Sequence, residues 1–406
     1  MAYTHEHCLR ARQDFPALMS APDLAYLDGP GGSQVPRAVV DAIADVYASC
    51  NVNTHGNFAP SREIDRRMEA ARGAVAAFLG APSGACISFG HNMTTLTFAL
   101  SAAIGRTLAQ GDEVLITQLD HEANRGPWSA LEERGAVVRE VRVLDSGELD
   151  PADMAAKISP RTKLFALGAS SNCLGTVNDL ALARRLTRDV GALLVVDAVH
   201  YAPHFPIDVQ ALGADFLLCS AYKFYGPHVG VLYSRPGALD RLPTYRLSVQ
   251  DPAAPFRIET GTLNHAAING VRAAIEYIAS WGSGASLRER IVSAMTQIAA
   301  YEHELATKYF EAVSKMRGVR VWGPDFAAGR ARAPTVSITL AQVGADAAAI
   351  RLGERGICVW DGNFYAARPA EVLGFTGRGG LLRTGISLYN TRDEIDRLLD
   401  ALAGLS

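Results

Sequence analysis

Lysine is scarce in this chain. Five lysines (Lys157, Lys163, Lys223, Lys308 and Lys315) stand against 34 arginines in 406 residues, so each ammonium group can be weighed by itself. Cysteine is sparse as well. Cys8, Cys50, Cys86, Cys173, Cys219 and Cys358 form no CxxC pair and have no Cys/His spacing suited to zinc. That scatter argues against a disulfide framework or a zinc module and predicts reduced thiols in a cytoplasmic protein. No stretch approaches the roughly 20 uninterrupted apolar residues of a spanning helix. The opening "MAYTHEHCLRARQDF" lacks the apolar run of a secretory signal, so no membrane partner is expected. An excess of one charge is missing too. The formal net charge of −3 gives no electrostatic reason to expect nucleic acid.

What the chain does have is apolar residues in two kinds of spacing. The 49% hydrophobic content is enough for a sizeable core, and the length suits a large domain plus a smaller one. Between Ser61 and Tyr233, short β-branched runs ("DEVLITQ", "VVREVRV", "KLFALG", "ALLVVD", "DFLLCS") alternate with helical segments such as "SREIDRRMEAARGAVAAFLG". That alternation predicts an α/β fold with a mostly parallel sheet covered on both faces. Beyond Asn264 two long helical patterns lead to "TVSITL", "ICVW" and "LLRTGISL", read as strands of a smaller α/β unit. The expected division is a large domain over 20–275 and a small one over 1–19 and 276–406.

Several strand ends carry reactive side chains. Lys223 follows the apolar "FLLCSA". It is either a solvated edge residue or an amine dried by burial, kept neutral and able to form a Schiff base. Asp197 ends "LLVVD", where a carboxylate can cap a turn or grip a protonated pyridine nitrogen. Asn92, Met93 and Thr94 open a helix after "SFG". Its free N–H groups and dipole favour an anion, although simple N-capping gives the same pattern. Ser220 is placed to add a hydroxyl. His121 follows "EVLIT" and Asn172 follows "KLFAL". The histidine could stack on a flat ring, move protons, or serve as a loop residue.

Taken together, "YLDGPGGSQVP", "DHEAN", "SNCLG", "VDAVH" and "SAYKFYGP" resemble the class V aminotransferases of fold type I, in their cysteine desulfurase-like branch. The resemblance implies a seven-stranded-type sheet in the large domain and pyridoxal 5'-phosphate as cofactor. It implies Lys223 as the Schiff-base lysine, Asp197 on the ring nitrogen, His121 stacked on the ring, and Asn172 and His200 near the ring hydroxyl. Thr94, Ser220 and Tyr222, with the backbone at Asn92 and Met93, would hold the phosphate. Thr262 in "GTLN" would reach the phosphate of the partner in a homodimer. Arg383 would bind the α-carboxylate of an amino-acid substrate.

One departure stands out. Aligned with such relatives, Tyr365 in "DGNFYAA" stands where a sulfur-accepting cysteine belongs, and tyrosine cannot carry a persulfide. Cys358 lies seven residues upstream and reads as a small apolar side chain. The expectation is therefore a pyridoxal-phosphate enzyme that deprotonates Cα and eliminates from Cβ in the manner of a C–S lyase. Alternatives are a true desulfurase using Cys358 or an external thiol, and an epimerase, aminotransferase, decarboxylative or cyclising enzyme. A cofactor-binding regulatory module is the alternative outside catalysis. Asn53, His55 and the loop residues around Tyr365 are expected to touch substrate.

Overall fold

The computed structural model of the protein describes residues 2–327, 329–376 and 379–405. The helix Ala59–Leu79 buries Ile64, Met68, Ala71, Val75, Phe78 and Leu79 on one face. It stops at Gly80, which takes the left-handed conformation that glycine accepts without penalty.

Seven strands form the main sheet: β1 (Ile87–Gly90), β2 (Glu113–Thr117), β3 (Val137–Val141), β4 (Thr162–Gly168), β5 (Leu193–Asp197), β6 (Phe216–Ser220) and β7 (Gly230–Ser234). Their spatial order is β3-β2-β4-β5-β6-β7-β1. Only β7 runs against its neighbours; the other pairings are parallel. Every residue of β2, β6 and β7 is buried, as a sheet covered on both faces requires. Chain order reverses between β2 and β4, so the crevice beyond their carboxyl ends is where such a sheet receives a ligand.

A second sheet holds β8 (Val319–Trp322), β9 (Thr335–Leu340), β10 (Trp360–Gly362) and β11 (Leu381–Gly385) in the antiparallel order β10-β11-β9-β8. The expected single strand "ICVW" is corrected here. Ile357–Cys358 pairs in parallel with Ala25–Tyr26, whereas Trp360 already belongs to β10. Val359 is the hinge at which the chain changes partners. One apolar cluster runs without a break from Ile87 and Phe165 to Leu381 and Leu398, binding the two sheets into a shared core. Among the described residues no helix is long and apolar enough to cross a membrane.

Candidate active site

Four loops leaving the carboxyl ends of buried parallel strands build the floor of a cavity of about 620 Å³. Asp197 is the last residue of β5, and its carboxylate accepts the Val199 N–H at 2.9 Å. Burial pushes this acid up to about 6, against the pull of that hydrogen bond and of Lys223. Lys223 closes a single tight turn, Ala221–Lys223, directly after β6. Its ammonium donates to the Gly31 carbonyl at 2.9 Å and to the Pro30 carbonyl. Burial, helped by the charge of Arg383, lowers it to about 7, while Asp28 and Asp197 oppose the shift. A neutral amine is therefore accessible near pH 7.

His121 follows β2. Its Nδ1 accepts the Ala123 N–H at 3.0 Å. Burial first, then the charges of Lys223 and Arg383, lower the ring to about 4, so it is neutral at ordinary pH. Asn172, beyond β4, donates to the Phe364 carbonyl at 2.9 Å and leaves its buried Oδ1 without a partner. His200 is buried beside the cavity, with Nε2 3.1 Å from the Thr335 hydroxyl of β9, and burial holds its ring well below the usual value.

At one end the helix Met93–Gly105 points its N-terminus at the cavity. Asn92 caps it by accepting the Thr95 N–H at 2.9 Å, and the Met93 N–H donates to the Ser220 hydroxyl at 3.0 Å. Gly230 makes this close approach possible, because a Cβ there would lie 2.4 Å from the Asn92 carbonyl carbon. Thr94 stands exposed at the mouth. Tyr222 stacks on His228 at 4.7 Å, nearly parallel, and the Lys223 ammonium lies 4.7 Å from the centre of its ring.

The opposite wall comes from the second sheet. Arg383 in β11 is 3% exposed, pairs with Asp28 at 2.8 Å and donates to the Asn172 carbonyl at 3.2 Å. Among the described residues its Nε has no partner, and its guanidinium lies 4.3 Å over the Phe364 ring. Tyr365 follows, its ring 5.7 Å from that of His121.

Of the residues singled out in the sequence, Asn92, Met93, Thr94, His121, Asn172, Asp197, His200, Ser220, Tyr222, Lys223, Tyr365 and Arg383 all line this cavity. Asn53, His55 and Thr262 do not. All three are exposed elsewhere on the chain, and the backbone N–H of His55 is held by Asp65. Cys358 also lies outside the lining, with its half-buried thiol pushed up by burial, and no described lining residue is a cysteine. Two acids were missed by sequence reasoning. Asp28 is the counter-ion of Arg383. Asp120 accepts the Gly168 N–H at 2.7 Å, has no partner for Oδ2 among the described residues, and is pushed up to about 7 by burial. Their only signal was adjacency to motif residues, in "YLDGP" and "LDHEAN".

A dry amine, a buried carboxylate, a capped helix N-terminus with a hydroxyl, and orphaned polar atoms on Asn172 and Arg383 form a donor set that fits a phosphorylated heteroaromatic aldehyde. Fold and site together define a pyridoxal-phosphate-dependent enzyme. The family model for class V aminotransferases matches residues 25–398, and the chain belongs to that family. It is 32% identical to a cysteine desulfurase of Yersinia pseudotuberculosis over 412 residues, covering 97% of both chains. The cysteine desulfurase of Serratia proteamaculans is 32% identical over 414 residues, again covering 97% of each. Among solved structures, the cysteine desulfurase CsdA of Escherichia coli superposes with a TM-score of 0.85 at 29% identity, covering 97% of both chains. The apo cysteine desulfurase of Thermococcus onnurineus NA1 gives 0.86 at 27% identity, covering 98% of this chain and 97% of that one.

Proposed function

We propose that the protein acts on an amino acid carrying sulfur at Cβ, removing the Cα proton and eliminating the sulfur substituent as a C–S lyase. The observation that carries this reading is the meeting of Lys223, Asp197 and Arg383 in one cavity whose described lining holds no thiol. Pyridoxal phosphate, when bound, supplies an aldehyde for amino groups and an electron-withdrawing ring that acidifies Cα. Lys223 would hold that aldehyde, and its Nζ would take the proton from the substrate's Cα. Its depressed basicity keeps the pair of electrons free for that transfer. Asp197 would hold the ring nitrogen through its carboxylate, and His121 would lie against the ring as a neutral imidazole. Asn172 and His200 would approach the ring hydroxyl, and Asn92, Met93, Thr94, Ser220 and Tyr222 would hold the phosphate. Arg383 receives the α-carboxylate through its planar fork.

The Cβ–S electron pair leaves with sulfur. One S-substituted cysteine and one water then give a thiol, ammonia and pyruvate. Thr262, exposed and outside the lining of its own cavity, would serve the phosphate of a second copy in a homodimer.

The test is to load the protein with pyridoxal phosphate and offer cysteine and S-alkyl cysteines. Pyruvate, ammonia and the sulfur product, hydrogen sulfide from cysteine and a thiol from its S-alkyl derivatives, should appear in equal amounts. Lys223→Ala should lose the bound-cofactor absorption band and about 10³-fold or more in rate. Loading should speed up as pH rises through about 7, where the Lys223 amine becomes neutral. Deuterium entering Cα of recovered substrate, with no thiol released, would overturn elimination in favour of epimerisation. A persulfide on Cys358 that disappears in Cys358→Ser would establish sulfur transfer instead.

A further inference from the structure

The wall beside Arg383 is more aromatic than an anchor for a carboxylate requires. Trp360 lies directly opposite Arg383 in the antiparallel register of β10 and β11, so both side chains leave the same face of the sheet. Any carboxylate on Arg383 therefore has an indole next to it. Trp360 is 53% exposed although it lines the cavity, and Tyr365, also in the lining, is 75% exposed. Phe364 and Tyr365 both adopt left-handed backbone angles, φ +59° and +58°, which bulky side chains rarely take.

Four hydrogen bonds hold that strained turn in place. The Ala366 N–H donates to the Asn363 carbonyl at 2.8 Å and the Tyr365 N–H to the Asn363 side chain at 3.1 Å. Asn172 donates to the Phe364 carbonyl at 2.9 Å, and the Glu122 N–H to the Tyr365 carbonyl at 2.8 Å. The last two tie the turn to the loops that carry His121 and Asn172. Strained torsions held by bonds to both site loops are a feature that clusters at functional sites and ligand clamps. Phe364 is already occupied by the Arg383 guanidinium. Trp360 and Tyr365 keep open faces at the mouth.

We propose that Trp360 and Tyr365 form an aromatic clamp for the sulfur substituent, and that the substrate class is cysteine conjugated at sulfur to an aromatic or bulky apolar group. The inference rests on the reading of Arg383 as the carboxylate anchor, which places the amino acid's side chain within reach of the indole. A flat apolar substituent would stack on the two open rings, whereas the small thiol of free cysteine would leave both in water.

The test uses the cofactor-loaded protein, with S-benzyl-L-cysteine and L-cysteine as probes. Binding is read by calorimetry and by tryptophan fluorescence, apart from product formation. S-benzylcysteine should bind at least tenfold more tightly than cysteine and quench the fluorescence. Trp360→Ala should bring the two affinities to within threefold, and Trp360→Phe should keep most of the preference. Equal or tighter binding of cysteine by the unmodified protein overturns the clamp, as does a preference that survives Trp360→Ala. The two affinities of the unmodified protein are decisive without any variant, so a substitution that fails to fold leaves the clamp falsifiable. Tight binding of S-benzylcysteine with no phenylmethanethiol or pyruvate released supports the clamp while refuting elimination. Efficient elimination from cysteine with no preference for the conjugate refutes the clamp and leaves elimination standing.

Discussion

Lys223, Asp197 and His121 hang from the carboxyl ends of parallel strands buried on both faces, whereas Trp360, Phe364 and Tyr365 sit on a short edge strand and a strained turn. The floor places its groups through backbone ladders that no single side chain controls. The wall places its groups through local hydrogen bonds and unfavourable torsions. On the proposed reading, chemistry and selectivity fall to parts of the molecule with different tolerance to change: altering the floor should remove function, and altering the wall should retune it.

The largest effect that sharpens this contrast is expected where wall and floor meet. Arg383 engages Asp28, the Asn172 carbonyl and the Phe364 face at once, and only a planar fork can do all three. Arg383→Lys keeps a positive charge but loses the fork, and kcat/KM for the amino acid should fall about 30–100-fold. Steady-state kinetics checks it. A drop of less than threefold would remove Arg383 from the role of carboxylate anchor.

A smaller effect belongs to the floor. Burial raises Asp120 to about 7, so the folded protein keeps a proton that the unfolded chain has already released near pH 4. The stability contributed by that proton is fully present below pH 4 and is lost as pH rises through about 7. Between pH 5 and 7 the cofactor-free protein should therefore lose about 2–3 kcal/mol relative to Asp120→Asn. Urea titrations of both proteins at the two pH values measure the difference. A flat difference would show that Asp120 is ionised throughout.

These two residues also mark where the sequence could and could not be read. Lys223, Asp197, His121 and Asn172 were legible because each follows an apolar strand, and a strand's end is a point that periodicity locates. Arg383 was legible only through the resemblance to the class V aminotransferases; its apolar flanks marked a strand without saying what the arginine does. Asp120 was passed over although it adjoins His121, because nothing in a one-dimensional pattern says that its second oxygen ends up buried and unpaired. Asp28 was likewise invisible as a counter-ion, since its partner lies 355 residues away. The run "ICVW" misled for a different reason. Its apolar composition marks a strand, but the exchange of partners at Val359 depends on Ala25–Tyr26 arriving from the far end of the chain.

The smallest effect probes the wall's strain directly. At an ordinary exposed position, replacing tyrosine by glycine destabilises a protein by roughly 0.5–1 kcal/mol, because glycine gives up more backbone freedom on folding. Tyr365 is not ordinary. Its φ of +58° places a bulky residue where glycine is at ease, and its 75% exposure means that little apolar contact would be lost. Relief of about 1–2 kcal/mol of left-handed strain should outweigh the entropic loss. Tyr365→Gly should therefore match the unmodified protein in urea stability or exceed it by about 0.5 kcal/mol, while the preference for S-benzylcysteine weakens. A loss of about 1 kcal/mol or more would mean that the turn is relaxed as built, and the wall would then be an ordinary loop rather than a sprung one.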